Sequence, residues 1–270
     1  MSNIAKTFDA LKRTRRKGFI PFVSAGDPDI ETSLAIVKAL ACSGATVIEL
    51  GVPFSDPMAD GPTIQRSSQR SLAAGTDLGK IINMVRAFRK ESDVPVVLFS
   101  YLNPLLRFGL DDLCSLASEV GIDGILITDV VGEEAKEIGA QLRSNGIDLI
   151  SLIAPTTTDE RIAEIAVTAS GFIYAVSRAG VTGAQSEMTS DARTLVERAR
   201  KFTDLPIAVG FGISTAEQIR EVWKYADAAV VGSAIVSVIE KSAGVEDPAA
   251  AVERFARSIA PEIANKSQEV

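Results

Sequence analysis

The feature that most constrains this chain is the regular alternation of short apolar runs with amphipathic helical patterns. Near-continuous apolar runs of this length are typical of strands buried in a parallel sheet. Eight such runs are predicted, at Phe19–Ser24, Thr46–Leu50, Pro95–Phe99, Gly124–Thr128, Asp148–Ile153, Phe172–Val176, Pro206–Val209 and Ala228–Val231. Helical patterns lie between them, for example at Glu31–Cys42, Leu78–Lys90, Gly132–Ser144, Asp159–Ala169 and Thr215–Lys224.

The spacing of the strands favours a closed barrel. Successive strands begin 27, 49, 29, 24, 24, 34 and 22 residues apart, and most of these intervals fit one βα unit. Eight units in about 250 residues are typical of a (β/α)₈ TIM barrel. We therefore predict an α/β chain with a single barrel domain over residues 1–270. An open, doubly wound sheet is the alternative.

An extra helix is predicted before the first strand, where Ile4, Phe8 and Leu11 are spaced at i, i+4 and i+7. The basic run KRTRRK at 12–17 follows it, and positive charge at a helix C-terminus complements the helix dipole. We prefer that interpretation to an RNA-binding arm. The formal net charge of the whole chain, 28 − 35 = −7, disfavours nucleic acid and anionic membranes as partners.

Composition excludes several kinds of chemistry. The chain has no histidine, which rules out Ser-His-Asp and Cys-His catalysis and histidine-based metal sites. No metal-ligand spacing is present, so no metal is expected. Cys42 and Cys114 lie in apolar helical patterns, and we expect both to be buried and reduced, as in a cytoplasmic protein. No apolar run approaches the roughly 20 residues of a membrane span, and the N-terminus lacks a signal region.

The two long intervals predict enlarged loops at the C-terminal face, where barrels carry their active sites. Glu49 ends an apolar strand and by alternation shares a face with Val47. Burial there would raise its pKa and suit it to acid–base catalysis. The alternative is a carboxylate that accepts backbone N–H bonds at the strand end. Asp60 follows in a loop stiffened by prolines. A lone Asp in a loop is usually a turn residue, but Asp60 and Glu49 lie on the same rim of the barrel, and two acids there favour an active site.

Two further stretches point to a ligand. Tyr174 lies in the sixth strand. Its ring could belong to the core, or its hydroxyl could reach a site at the barrel mouth. The glycine-containing loop after this strand is typical of a mobile lid. The glycine turns Gly210–Ser214 and Gly232–Ala234 each precede a helical pattern. Glycine turns and helix N-termini at this corner of a barrel favour a phosphate over plain turn chemistry.

The third loop, Tyr101–Gly109, is unusually apolar for a connection. Packing beneath a neighbouring loop would explain it. The functional alternative is an exposed apolar patch on the active face, which would serve as a surface for a partner protein. Leu105, Leu106 and Phe108 are the residues expected to form that patch.

Three of these stretches, Glu49–Gln65, Ser177–Gly183 and Gly210–Ser214, resemble the tryptophan synthase α-subunit family, and the resemblance extends over essentially the whole chain. It implies a lyase of tryptophan biosynthesis that cleaves indole-3-glycerol phosphate to indole and glyceraldehyde 3-phosphate. It further implies that Glu49 is the general acid–base, that Asp60 binds the indole N–H and stabilises the cationic indolenine, and that Tyr174 assists.

The same resemblance implies the remaining roles. Phosphate-binding residues would be Gly183, Gly210, Gly212, Gly232 and Ser233; indole-flanking residues would be Phe22 and Leu126; lid residues would be Arg178 and Thr182; and interface residues would be Pro53, Asp56, Asn103 and Phe108. The implied partner is a β subunit in an α2β2 heterotetramer. Pyridoxal phosphate is expected only in that partner, with no cofactor in this chain.

Two other functions stay open at this point. One is a different phosphate-binding barrel enzyme, such as a sugar-phosphate isomerase or an aldolase, although a Schiff-base aldolase needs a strand lysine and no predicted strand contains one. The other is a barrel that binds indole or activates a partner without catalysis. An intact Glu49 and Asp60 argue against it.

Overall fold

Eight parallel strands close into a barrel in which each strand pairs with its neighbours in chain order. The computed structural model describes residues 1–176, 185–210 and 212–260, with the side chains of 185–190 outside that description. The strands are β1 (Gly18–Ser24), β2 (Ile48–Gly51), β3 (Val96–Ser100), β4 (Gly124–Ile127), β5 (Asp148–Ile153), β6 (Ile173–Val176), β7 (Ile207–Gly210) and β8 (Ala228–Val231). The predicted TIM barrel is confirmed, and the open sheet is excluded because β8 pairs with β1.

Twelve helices are described around this barrel. They are α1 (Asn3–Arg13), α2 (Ile30–Cys42), α3 (Pro62–Ala73), α4 (Leu78–Phe88), α5 (Leu102–Phe108), α6 (Leu110–Val120), α7 (Gly132–Ser144), α8 (Asp159–Thr168), α9 (Gln185–Ala199), α10 (Ala216–Trp223), α11 (Ser233–Ser242) and α12 (Pro248–Ile259). The five helices named from the sequence all form, with ends that differ by no more than two residues.

The third loop is a helix, which the sequence analysis missed. The Asp129 carboxylate accepts the Leu102 N–H at 2.8 Å and so satisfies one donor at the start of α5. Gly109, at φ 98°, ends the helix in a conformation that other residues rarely adopt. Asp129 lies far from α5 in sequence, so no local pattern indicated the cap.

Strand alternation divides the core into two layers. Val47, Val97 and Leu126 point into the barrel, whereas Ile48 and Leu50 pack outward against the helices. The prediction that Glu49 shares a face with Val47 follows from the same alternation, and the structure makes that face the inner one. Glu49 therefore projects into the barrel rather than into the helix layer.

The N-terminal helix α1 closes the bottom of the barrel. Ile4 and Phe8 are buried in the inner core, and the Phe8 and Phe172 ring centroids are 5.7 Å apart. Lys12 and Arg13 lie in the last turn of α1, as the dipole interpretation predicts. With the bottom filled, a ligand reaches the interior from the C-terminal mouth.

The prediction for the cysteines was half right. Cys114 is buried, but Cys42 is exposed. Cys42 is the last residue of α2, whose buried face runs through Ile36, Val37 and Leu40. Two residues beyond Leu40, the side chain turns away from that face.

Neither a membrane-spanning helix nor a metal-binding cluster is found in the part of the chain that the structure describes. None of its helices is long and apolar enough to cross a membrane. No group of three or more cysteine or acidic side chains in that part has the arrangement of a metal site.

Candidate active site

Glu49 carries a carboxyl that is buried inside the barrel. It lies on β2 between Phe22 of β1 and Val97 of β3, and its exposed fraction is 0%. Neither carboxyl oxygen has a hydrogen-bond partner among the described residues. Burial raises the pKa of Glu49 from 4.5 to about 8. The structural alternative, a strand-end carboxylate that accepts backbone N–H bonds, is therefore wrong for the described part of the chain.

Tyr174 shares the interior with Glu49. It is 9% exposed, and burial together with the Glu49 charge raises the pKa of its hydroxyl well above the usual value. The ring lies against Gly210 of β7, where an added Cβ would stand 2.2 Å from the Tyr174 hydroxyl oxygen. Gly210 was predicted to bind phosphate; in the structure its lack of a side chain makes room for Tyr174.

The substitution Gly210→Ala is expected to displace the Tyr174 ring. The new methyl would also stand 2.9 Å from the Val230 Cβ, so it cannot move away from Tyr174 by a small shift toward Val230. Overpacking of this kind typically costs about 1–3 kcal/mol. We expect a lower Tm and a loss of activity of about tenfold, measured by calorimetry and a turnover assay. Gly79→Ala is the control, because nothing lies nearer than 3.3 Å to the added Cβ within α4; an equal loss in both variants would contradict this role of Gly210.

Asp60 is the second carboxyl at the mouth, and it is half-buried in the segment before α3. The Tyr101 hydroxyl donates to its Oδ2 at 3.2 Å and accepts the Ala59 N–H at 2.8 Å. Burial raises the pKa of Asp60, and the hydrogen bond from Tyr101 opposes that shift. The Gln65 side-chain amide donates to the Asp60 carbonyl at 2.9 Å, which holds the segment against α3.

The sequence analysis gave no role to Tyr101 or Gln65. Tyr101 directly follows β3, and a polar aromatic residue at the C-terminal end of a barrel strand is the signal that would have found it. Burial raises the pKa of the Tyr101 hydroxyl to about 12. It therefore remains a hydrogen-bond donor to Asp60 at neutral pH.

Aromatic rings line the space beside Asp60. The Phe22 and Phe99 centroids are 5.3 Å apart with the rings nearly perpendicular. Phe22 lies across Gly51, where an added Cβ would stand 2.6 Å from its Cζ. A slot is lined by Phe22, Ser24, Gly51, Val52, Pro53, Asp60, Ile64, Ser68, Phe99 and Tyr101. Its walls combine apolar rings with the Asp60 carboxylate.

Leu126 lies on the inner face of β4, in register with Phe99 of β3. Both predicted indole-flanking residues, Phe22 and Leu126, thus point into the barrel interior. A groove between α7 and α8 lies outside the barrel, and neither predicted carboxyl lines it.

No side chain among the described residues caps the N-terminus of α11, where Gly232 is the N-cap and Ser233 is the first helical residue. The helix after β7 differs, because Thr215 and Gln218 form a capping box that satisfies two backbone donors at the N-terminus of α10. Gly212 is exposed with φ 70°. Of the two glycine turns, the one at α11 therefore offers the freer backbone donors.

The predicted lid and interface residues are only partly described. The lid residues Arg178 and Thr182 lie outside the described residues, as does Gly183, which was predicted to bind phosphate. Pro53 is buried, whereas Asp56 and Asn103 are exposed on segments that follow β2 and β3.

The apolar patch differs from the prediction. Leu105 is fully buried and Phe108 is only partly exposed, because both pack against the outer core as part of α5. Exposed apolar side chains on this rim include Leu106, at 53%, and Met58, at 93%, in the loop after β2.

The chain matches the family model described as tryptophan synthase alpha chain over residues 8–265. Its relatives include the tryptophan synthase alpha chain of Solibacter usitatus, which is 46% identical over 96% of this chain and 97% of that protein. The alpha chain of Caulobacter vibrioides is 49% identical over 90% of this chain and 89% of that protein.

Solved structures agree with these sequence relatives. Tryptophan synthase subunit alpha of Legionella pneumophila superposes with a TM-score of 0.90 and 37% identity, over 98% of this chain and 99% of that chain. A study of mutual activation of the tryptophan synthase a2b2 complex of Pyrococcus furiosus provides another match, with a TM-score of 0.84 and 39% identity over 90% of this chain and 97% of that chain.

Proposed function

Because the chain belongs to the tryptophan synthase alpha chain family, we propose that it is a lyase that cleaves indole-3-glycerol phosphate to indole and glyceraldehyde 3-phosphate. The observation that carries the proposal is the buried Glu49 on the inner face of β2, whose carboxyl has no hydrogen-bond partner among the described residues. A carboxyl kept neutral by burial is a proton donor at neutral pH.

The reaction needs two proton transfers and one charge stabiliser. A proton is added to the indole ring carbon that carries the glycerol chain, which gives a cationic indolenine. The carbon–carbon bond then breaks, and its electron pair returns to the ring. The neighbouring hydroxyl loses its proton and becomes the aldehyde, so the proton count balances.

Glu49 has the properties that both transfers require. With a pKa of about 8 it carries a proton at neutral pH and can give it to the ring carbon. The resulting carboxylate can then take the proton of the glycerol hydroxyl. Tyr174 shares the interior with this carboxyl, and its raised pKa keeps its hydroxyl a donor.

Asp60 supplies the charge stabilisation. Its carboxylate, oriented by Tyr101, would accept the indole N–H and offset the positive charge of the indolenine. The rings of Phe22 and Phe99 form an apolar slot beside it for the bicyclic ring. This arrangement matches one substrate with an aromatic end and an anionic end.

The phosphate would bind at the N-terminus of α11. Backbone N–H groups at Gly232 and Ser233 point into a region where the helix dipole favours negative charge. Gly212 and Gly183 are the other proposed contacts. Inorganic phosphate and glycerol phosphate should therefore compete with the substrate.

The decisive experiment is a direct assay of the purified chain with indole-3-glycerol phosphate. We expect indole and glyceraldehyde 3-phosphate in equal amounts, without added metal or cofactor. Binding without turnover would favour the non-catalytic barrel. Turnover of a sugar phosphate alone would favour a different barrel enzyme.

A tryptophan synthase β subunit is the proposed partner, and it would carry the pyridoxal phosphate. The supporting observation is the pair of exposed apolar side chains on the mouth rim, Met58 after β2 and Leu106 on α5. A partner docked there would receive indole directly from the barrel mouth. Apolar indole would then pass into a closed interface rather than into bulk water.

Replacing Met58 and Leu106 together by serine is expected to weaken β-subunit binding by at least about tenfold. Buried interface anchors typically contribute more than about 1 kcal/mol each. Asp56→Ala, on the same rim, should also weaken binding. The matched control is Val167→Ser, because Val167 is 84% exposed near the C-terminal end of α8, away from the mouth. Affinity measured by titration calorimetry that is unchanged in the double variant would place the interface elsewhere.

A further inference from the structure

Two helices begin at the mouth and lie side by side on the outer wall. The helix α3 starts two residues after Asp60, and α11 starts at Ser233 in the proposed phosphate site. One helix thus carries the charge-stabilising end of the site, and the other carries the phosphate end. The position of α3 relative to α11 therefore sets the distance between Asp60 and the proposed phosphate site.

A network of four charged side chains joins these helices. Arg66 of α3 makes a two-pronged contact with Glu240 of α11, at 2.7 and 2.8 Å. Arg70, one turn further along α3, donates to the same carboxylate at 2.9 Å. Arg70 also donates two hydrogen bonds of 2.8 Å to the carboxylate of Asp27, which lies just after β1.

The geometry of this network is more specific than that of an ordinary surface pair. The Asp27 side chain is fully buried, and the Arg70 and Glu240 side chains are mostly shielded. Planar guanidinium forks fix orientation as well as distance, which a point charge does not. The pKa of Glu240 is lowered to about 2, chiefly by its hydrogen bonds from Arg66, so the carboxylate stays charged.

The contacts between α3 and the barrel strengthen the same attachment. The Ser71 hydroxyl donates to the Ala25 carbonyl at 2.5 Å, and the Ser24 and Ser67 hydroxyl oxygens are also 2.5 Å apart. These small side chains let α3 lie close to the end of β1. The arginines then determine how α3 sits along α11.

We propose that Arg66, Arg70, Glu240 and Asp27 form a positioning network that sets the distance between Asp60 and the phosphate-binding start of α11. The inference rests on the proposed function, because it concerns a substrate that spans both ends. None of the four residues touches the substrate. Their effect reaches it through the two helices.

The test compares ligands that occupy one end with a ligand that occupies both. Indole and glycerol phosphate each fill one end, and the non-cleavable indole propanol phosphate spans them. In Glu240→Gln and Arg66→Gln we expect the affinities for the two small ligands to stay within twofold. The affinity for the spanning ligand, and kcat/KM for indole-3-glycerol phosphate, should each fall at least fivefold.

Two additional variants separate positioning from general stability. Arg70→Lys keeps a positive charge beside Asp27 but loses the fork, so it should behave like Glu240→Gln. Glu253→Gln removes a comparable half-exposed pair with Arg257 on α12 and should leave all three affinities unchanged. Circular dichroism and Tm confirm folding; if Arg70→Lys does not fold, Arg66→Gln and Glu240→Gln still decide the result.

Each other outcome has one meaning. If the variants have a lowered Tm but an unchanged affinity for the spanning ligand, the network only stabilises the fold. An equal weakening of all three ligands would show damage to the site rather than altered spacing, and either result overturns the proposal. A wild-type chain that neither binds the spanning ligand nor cleaves the substrate would overturn the proposed function itself.

Discussion

Glu49→Gln is expected to lower the rate of indole release by about 10²–10⁴, the usual contribution of a positioned general acid–base. Glutamine keeps the size and polarity of the side chain but neither gives nor takes the required proton. Substrate affinity should change less than threefold, because the proposed phosphate and ring contacts lie on other residues. Single-turnover kinetics and a binding titration measure the two effects separately.

The same substitution gives a stability test that does not depend on activity. Burial raises the pKa of Glu49 from 4.5 to about 8 in the folded protein. The folded state therefore holds this proton more tightly than the unfolded state. The pH-dependent part of the cost of this buried carboxyl is absent below about pH 4.5 and grows as the pH rises to about 8.

Glu49→Gln removes this pH-dependent cost. We expect the Tm of the variant, relative to wild type, to rise steadily between pH 5 and pH 8. One pKa unit corresponds to about 1.4 kcal/mol, so the full gain is on the order of a few kcal/mol. A variant that loses activity while gaining stability at pH 8 cannot owe its inactivity to misfolding. A flat Tm difference would mean that Glu49 titrates normally, and activity within threefold of wild type would remove it from the mechanism.

The barrel was predictable because its signal is repeated. Eight apolar runs and the helices between them follow from local periodicity. Strand alternation alone placed Glu49 on the same face as Val47, which the structure shows to be the inner face. The prediction that burial would perturb the pKa of Glu49 needed only that placement. Features that repeat along the chain, or that depend on adjacent residues, were therefore found.

Features that depend on residues distant in sequence were missed. The helix α5 was predicted to be a loop because its cap, Asp129, comes from the segment after β4. The contact of Tyr101 with Asp60 joins segments 41 residues apart. The bonds of Arg70 with Glu240 join segments 170 residues apart. Only the closed barrel brings such pairs together.

Asp60→Asn is expected to lower kcat by about 10²–10³, the range seen when one preorganised electrostatic group is removed from an active site. An amide oxygen can still accept the indole N–H, so binding should persist. It carries no full negative charge, so it does not offset the charge of the indolenine. The loss should therefore appear in kcat, with KM within about threefold of wild type.

Tyr101→Phe provides the graded comparison for Asp60→Asn. It removes the hydroxyl that donates to Asp60 at 3.2 Å and accepts the Ala59 N–H, but leaves the carboxylate in place. The charge remains and only its orientation is loosened, so kcat should fall by about tenfold rather than by 10²–10³. A rise in KM with unchanged kcat in Asp60→Asn would make Asp60 a binding residue that acts equally on substrate and transition state. Equal losses in both variants would mean that orientation, rather than charge, is what Asp60 supplies.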